Sequence, residues 1–203
     1  MAIAGFSMGG DGALRLGLKN PEAFVAIAAH GAAPSFALPI ASGLVSLIVN
    51  ENNNSKDMNG NFRYDPVNGF YTEAVLGISA AWNHNSTQFA IQFLLNSNGT
   101  LNTTAYNAML PNADCQTIIQ SKGLYKTATS NPFIYLEVGT ADGFLGINNQ
   151  FVSELKSLGV DPKWYTYVTS PSKPHGFDIE RAKGSLKWLS SKMRAPIATP
   201  SRS

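Results

Sequence analysis

Cysteine is almost missing, with Cys115 the only one in 203 residues. A single thiol excludes an internal disulfide framework and any thiolate zinc cluster. Charge is scarce as well. Lys and Arg number 15 against 13 Asp and Glu, a formal net charge of +2. So small an excess does not point to nucleic acid or an anionic membrane as a partner. No apolar run reaches the roughly 18 residues of a membrane span, and the longest, residues 36–49, is broken by Pro39, Ser42, Gly43 and Ser46. No basic segment followed by a short apolar one opens the chain, so no signal peptide is read; the compartment is left open. There are three histidines, His30, His84 and His175, and they lack metal-ligand spacing. No phosphate-binding glycine loop is present either, so neither metal nor cofactor is implied.

What remains is a globular composition, 44% apolar and 14% charged, long enough for one domain with a sizeable core. Residues 2–5 (Ala-Ile-Ala-Gly) form a short apolar strand ending at a turn. Residues 12–20 read as a helix, with Leu14 and Leu18 one turn apart and Asn20-Pro21 stopping it. Residues 24–29 are a second apolar strand suited to burial on both faces. Strand, helix, strand is a parallel crossover unit of an α/β fold. The rhythm returns near the end. A strand is expected at 133–138, then a helix with Ile147, Phe151, Leu155 and Leu158 on one face and Gly159 as its stop. Another strand follows at 164–168, and a last helix carries Ile179, Ala182, Leu186, Leu189 and Met193. The tail at 195–203 is expected to fray.

Residues 33–131 break the alternation and read as an insertion over the active site within a single domain, 1–203. It holds Asn- and Gly-rich turns at 50–61, helical stretches near 72–82 and 103–109, and an apolar run at 89–95. Four Asn-x-Ser/Thr sequons, at Asn53, Asn85, Asn98 and Asn102, are the expected by-product of an Asn-, Ser- and Thr-rich stretch.

The first strand runs straight into Gly5-Phe6-Ser7-Met8-Gly9 and a helix. Gly-x-Ser-x-Gly between strand and helix is the context of a strained turn that lifts a serine hydroxyl above the sheet. Gly5 and Gly9 are expected to remove collisions with the neighbouring chain, and Gly10 to allow close packing of the helix. The Met8 N–H then lies at a helix N-terminus, where it can stabilise an oxyanion. A serine needs a base. His175, after the last strand and before the last helix, is in the right place; His30 could line the same rim, and His84 lies in the insertion. The base needs an orienting acid, and Asp142, four residues past the 133–138 strand, is preferred to Asp114, Asp161 and Asp178. Asp178 looks like a helix cap. Phe6, Met8, Phe144 and Phe177 flank these positions and could form an apolar pocket.

With these residues the chain resembles the esterase D and S-formylglutathione hydrolase type of alpha/beta-hydrolase, a group that includes feruloyl esterases and mycolyltransferases. The resemblance covers residues 2–33 and 131–189 well and the insertion loosely. It implies a short, mainly parallel sheet flanked by helices, with Ser7 as nucleophile, Asp142 as acid, His175 as base and Met8 N–H as one oxyanion donor. The implied activity is hydrolysis of short- to medium-chain or aryl carboxylic esters through an acyl-enzyme, with Phe6, Phe144 and Phe177 against the substrate. Family members carry about half of the fold before the nucleophile strand, including a loop that supplies a second oxyanion N–H. Here Met1 stands one residue before that strand, so the fold reads as truncated and the oxyanion hole as incomplete. The strand at Ala2 to Gly5 then becomes an exposed edge, and a homo-oligomer is expected through it. Two other readings stay open: a non-catalytic or partner-dependent truncated hydrolase, and an acyltransferase or peptidase with the same triad.

Overall fold

The computed structural model describes residues 1–63, 69–82, 84–85 and 90–193. They group into two compact units, one made of 1–34 with 118 onward and the other of 35–117.

The first unit is built on a four-stranded parallel sheet in the order β1-β2-β5-β6. These strands are β1 (Ala2–Phe6), β2 (Ala26–His30), β5 (Phe133–Ala141) and β6 (Tyr165–Pro174). The helices α1 (Met8–Lys19), α6 (Leu145–Ser157) and α7 (Ile179–Met193) connect or follow them. Parallel strands covered on both faces need apolar side chains throughout, and β2 is buried along its whole length. Its alternation sorts the two layers. Ile27 meets α1, where a Cβ at Gly17 would strike the Ile27 side chain. Ala26 and Ala28 cluster with Tyr135 and Leu189, the latter from α7.

The main elements fall where the sequence puts them, but their ends move. α1 begins at Met8, not at residue 12: the glycines that lower its intrinsic helix propensity are needed by the turn, and packing overrides propensity. β5 and β6 run several residues further than expected. Ala141 still pairs with Pro174 after an irregularity between Gly139 and Ala141. The pairing is possible because Gly139 carries no Cβ, which would otherwise overlap the Lys173 carbonyl.

The second unit holds α2 (Leu38–Glu51), α3 (Phe70–Trp82), β3 (His84–Asn85), β4 (Ala90–Ile91) and α4 (Thr103–Ala113); the boundary falls within α5 (Cys115–Ser121). It has its own cluster, including Phe36, Val45, Ile48, Val75, Tyr106 and Met109. Asn102 caps α4 by accepting from the Ala105 N–H at 3.1 Å. The Glu51 carboxylate accepts from the Tyr71 and Thr72 N–H groups at 3.0 and 2.8 Å, satisfying the open first turn of α3. Of the sequon asparagines, Asn53 and Asn98 are exposed. Phe89, the start of the apolar run at 89–95, and the tail at 195–203 lie outside the described residues. Among the described residues no helix is long and apolar enough to cross a membrane.

Candidate active site

Ser7 stands between the last residue of β1 and the first of α1, at φ 53° and ψ −123°. A non-glycine residue in that region is strained and is held only when its surroundings over-determine it. Two hydrogen bonds do so. The Ser7 N–H donates to the His30 carbonyl at 2.8 Å, and the Asp11 N–H donates to the Ser7 carbonyl at 3.0 Å. A serine before a helix ordinarily turns its hydroxyl onto the helix N–H groups. Ser7 makes no such bond; its Oγ lies 3.0 Å from His175 Nε2.

The steric demand of the turn falls differently from the expectation. A Cβ at Gly5 would overlap the Gly9 carbonyl, and one at Gly10 would sit 3.1 Å from the Ala32 Cβ. A Cβ at Gly9 meets no described atom within 4 Å. The first glycine of the motif is therefore required by its contact with the backbone of the second, whose own missing side chain leaves open space.

His175 follows β6 directly. Its Nδ1 faces Asp142, 3.0 Å from Oδ2 and 3.1 Å from Oδ1. Asp142 is buried, and its Oδ1 also accepts from the Phe144 N–H at 2.8 Å, so the carboxylate is fixed from two sides. Three phenylalanine rings gather around the imidazole. Phe6 lies 4.9 Å and Phe144 5.0 Å from its centroid, and Phe177 meets Phe6 edge-on at 6.2 Å. Met8 is 85% exposed, its N–H among the open donors at the start of α1.

The structure thus brings together Ser7, His175 and Asp142, with Phe6, Phe144 and Phe177 beside them. It does not bring His30 to the rim: that side chain is buried, its Nδ1 2.9 Å from Glu137 Oε2 and its Nε2 2.9 Å from Ser185 Oγ. The physical reason is strand alternation, which points residue 30 into the sheet's helical layer with Tyr135. The His84 side chain lies outside what is described. Asp178 caps α7 as expected, accepting from the Glu180 N–H at 2.9 Å. Asp161 accepts from the Lys163 N–H at 2.9 Å, and Asp114 from the Phe36 N–H at 2.8 Å.

Three residues near the site escaped the sequence reading. Gly31 has φ +51°, and a Cβ there would stand 3.1 Å from Asp142 Oδ2 and 3.2 Å from His175 Nδ1. Its bareness is what leaves room for the imidazole–carboxylate pair. Asp11, one turn into α1, accepts from the Ala33 N–H at 2.5 Å and faces Arg15 Nη1 at 3.7 Å. Burial raises its carboxyl above the ordinary 3.8, although Arg15 and the Ala33 N–H pull the other way. Glu137 is the third, on β5 below Asp142. Its burial would raise the carboxyl, but hydrogen bonds from His30, Arg181 and Ser170 outweigh that and hold it below the ordinary 4.5. The dipeptide His30-Gly31 at the end of a strand was the one visible hint of a turn there.

Residues 1–158 match the Esterase family, whose description reads "Putative esterase". No curated protein matches the sequence. Among solved structures the chain is similar to the S-formylglutathione hydrolase FrmB of Staphylococcus aureus, at 16% identity and a TM-score of 0.51, over 92% of this chain and 53% of that one. It is similar to an S-formylglutathione hydrolase of Agrobacterium tumefaciens, at 18% identity and a TM-score of 0.51, over 94% of this chain and 48% of that one. Esterase B of Lactobacillus rhamnosis matches at 12% identity and a TM-score of 0.55, over 94% of this chain and 53% of that one. At such identities the likeness is one of fold, that of the alpha/beta-hydrolases, and the chain spans about half the length of these solved chains.

Proposed function

This chain belongs to the Esterase family, and from that premise we propose that it is a serine-dependent carboxylic ester hydrolase (EC 3.1.1 type) acting through an acyl-enzyme. The observation that carries the reading is the 3.0 Å approach of Ser7 Oγ to an imidazole whose other nitrogen faces a buried carboxylate. That is the geometry of an activated nucleophile: a base within reach of the hydroxyl, itself oriented by a third group.

In the proposed reaction Ser7 Oγ attacks the ester carbonyl carbon while its proton passes to His175 Nε2. Asp142 accepts the Nδ1–H, keeps the tautomer in place and stabilises the imidazolium. The carbonyl oxygen becomes an oxyanion, and the Met8 N–H at the start of α1 donates to it. As the C–O bond to the alcohol breaks, His175 returns the proton to the leaving oxygen. Water then attacks the acyl-serine with His175 again as base; as the bond from the acyl carbon to Ser7 Oγ breaks, His175 returns the proton to Oγ and the carboxylic acid leaves. Phe6, Phe144 and Phe177 suit apolar acyl or aryl groups, which makes short- to medium-chain and aryl esters the proposed substrates. Hydrolysis of p-nitrophenyl acetate and butyrate by the purified chain tests this. Ser7→Ala should remove the activity, and persistence of hydrolysis in that variant sinks the assignment.

β1 is an edge of the described sheet, bonded to β2 on one side, and its residues 2–5 are apolar or glycine. An edge of this kind pairs readily with another strand, and we propose a second copy of the chain as the partner. Light scattering on the purified protein decides: a monodisperse monomer refutes it.

A further inference from the structure

Beneath the base lies a buried ionic cluster that the proposed reaction does not use. Glu137, 1% exposed at its side chain, accepts through Oε1 from Arg181 Nε at 2.7 Å and from Ser170 Oγ at 2.5 Å. Its Oε2 faces His30 Nδ1 at 2.9 Å. The Arg181 side chain is 9% exposed, and its Nη1 donates to the Gly176 carbonyl at 3.3 Å. Gly176 is the residue after His175.

Resting on the reading of His175 as the base, we propose that Arg181 is a positioning residue for it: anchored by Glu137, its guanidinium holds the Gly176 carbonyl and so fixes the backbone that carries the imidazole.

Gly176 has open space where a side chain would stand, since a Cβ there would meet no described atom within 4 Å. On the other side of His175, Pro174 pairs with Ala141 on β5, and Lys173 Nζ pairs with Asp178 at 2.9 Å, an exposed contact of small weight. Arg181 is a buried tie on the Gly176 side. The anchor also comes from the right element. Glu137 lies on β5, the strand that delivers Asp142 just beyond its end, so the carboxylate facing Nδ1 and the guanidinium holding Gly176 share one rigid support. A purely stabilising role fits the cluster poorly. Buried ion pairs often contribute no more than an apolar filling of the same volume. Arg181 Nη2 is buried with no hydrogen-bond partner among the described residues, beside a cavity of about 10 Å³ lined in part by Phe6, Gly176 and Phe177. A planar fork sends Nε to Glu137 and Nη1 to Gly176; an ammonium gathers its three donors at one nitrogen and does not span the two acceptors.

The test uses the whole chain and two variants. Arg181→Lys keeps a positive charge beside Glu137 and loses the Gly176 contact, and Arg181→Met removes both. Each is first checked for folding by circular dichroism and thermal unfolding; if the Met variant does not fold, the Lys variant carries the experiment. In the folded variants kcat on p-nitrophenyl butyrate should fall about 10- to 100-fold, with KM within about twofold, since a loosened base impairs proton transfer rather than binding. The far-downfield proton NMR signal of the His175 Nδ1–H, assigned by its loss in Asp142→Asn, should broaden or vanish. A folded variant with wild-type kcat and a sharp, unshifted imidazole signal overturns the proposal. Failure of the esterase reading looks different: ester hydrolysis is then absent or survives Ser7→Ala, while the imidazole signal still reports what Arg181 holds.

Discussion

His175 Nε2 lies 3.0 Å from Ser7 Oγ, although 168 positions separate the two residues. The contact joins the end of β6 to the end of β1, the two edges of the sheet. Removing the group that orients this imidazole tests whether the geometry is used. Asp142→Asn preserves shape but offers an N–H where Nδ1 needs an acceptor, which favours the wrong tautomer. Ester turnover should fall by about 10⁴-fold with little change in KM, measured by steady-state kinetics on p-nitrophenyl butyrate.

The two motif glycines should respond differently to alanine. Gly5→Ala drives a Cβ into the Gly9 carbonyl, so the turn must open and turnover should drop by about 100-fold or more. Gly9→Ala meets open space and should keep the fold with activity within a few-fold. Thermal unfolding and kcat for the pair check the contrast; equal damage from both would show that the collision is elsewhere.

Gly31→Ala should be costly twice over. A side chain at φ +51° costs roughly 1–2 kcal/mol in backbone conformation. The added methyl also presses on Asp142 and His175, so kcat should fall by about 10-fold or more beyond what any loss of folded protein explains. Urea unfolding gives the first quantity and kinetics per folded molecule the second.

Acid should reveal Glu137. Its carboxyl is held below the ordinary 4.5 in the folded chain, so the unfolded chain binds the proton more readily. The stabilisation is complete above pH 4.5 and is lost as pH falls from there through the lower folded value. Glu137→Gln leaves the buried Arg181 uncompensated and should cost about 3–5 kcal/mol at pH 7. Its stability should then vary less with pH below 4.5 than that of the parent. Urea titrations at several pH values measure both effects.

Much of this was legible in the sequence. Ala2-Ile3-Ala4-Gly5 and Phe133 to Val138 announce buried strands because parallel strands need apolar residues on both faces. Ser7 and His175 were legible because a strained serine turn and a histidine between strand and helix each leave a local mark. The long reach of β5 and β6 was not, since Gly139-Thr140 and Ser170-Pro171-Ser172 look like turns until they pair with each other across the sheet. α2 was hidden by the Pro39, Ser42 and Gly43 that break its apolar run, although a proline in the first turn of a helix is well tolerated. The Glu137, Arg181 and His30 cluster leaves no local trace. Its members lie 107 and 44 positions apart and meet only because parallel crossovers stack strands distant in the chain.

The same wide separation puts a delay into the protein's making. Ribosomes add about 5–20 residues per second, so Ser7 is made roughly 8–34 seconds ahead of His175, across the 168 positions between them. Throughout that interval the hydroxyl lacks the imidazole that stands 3.0 Å from it in the folded chain. On the proposed reading the serine gains its activating imidazole only once β6 has docked on β5.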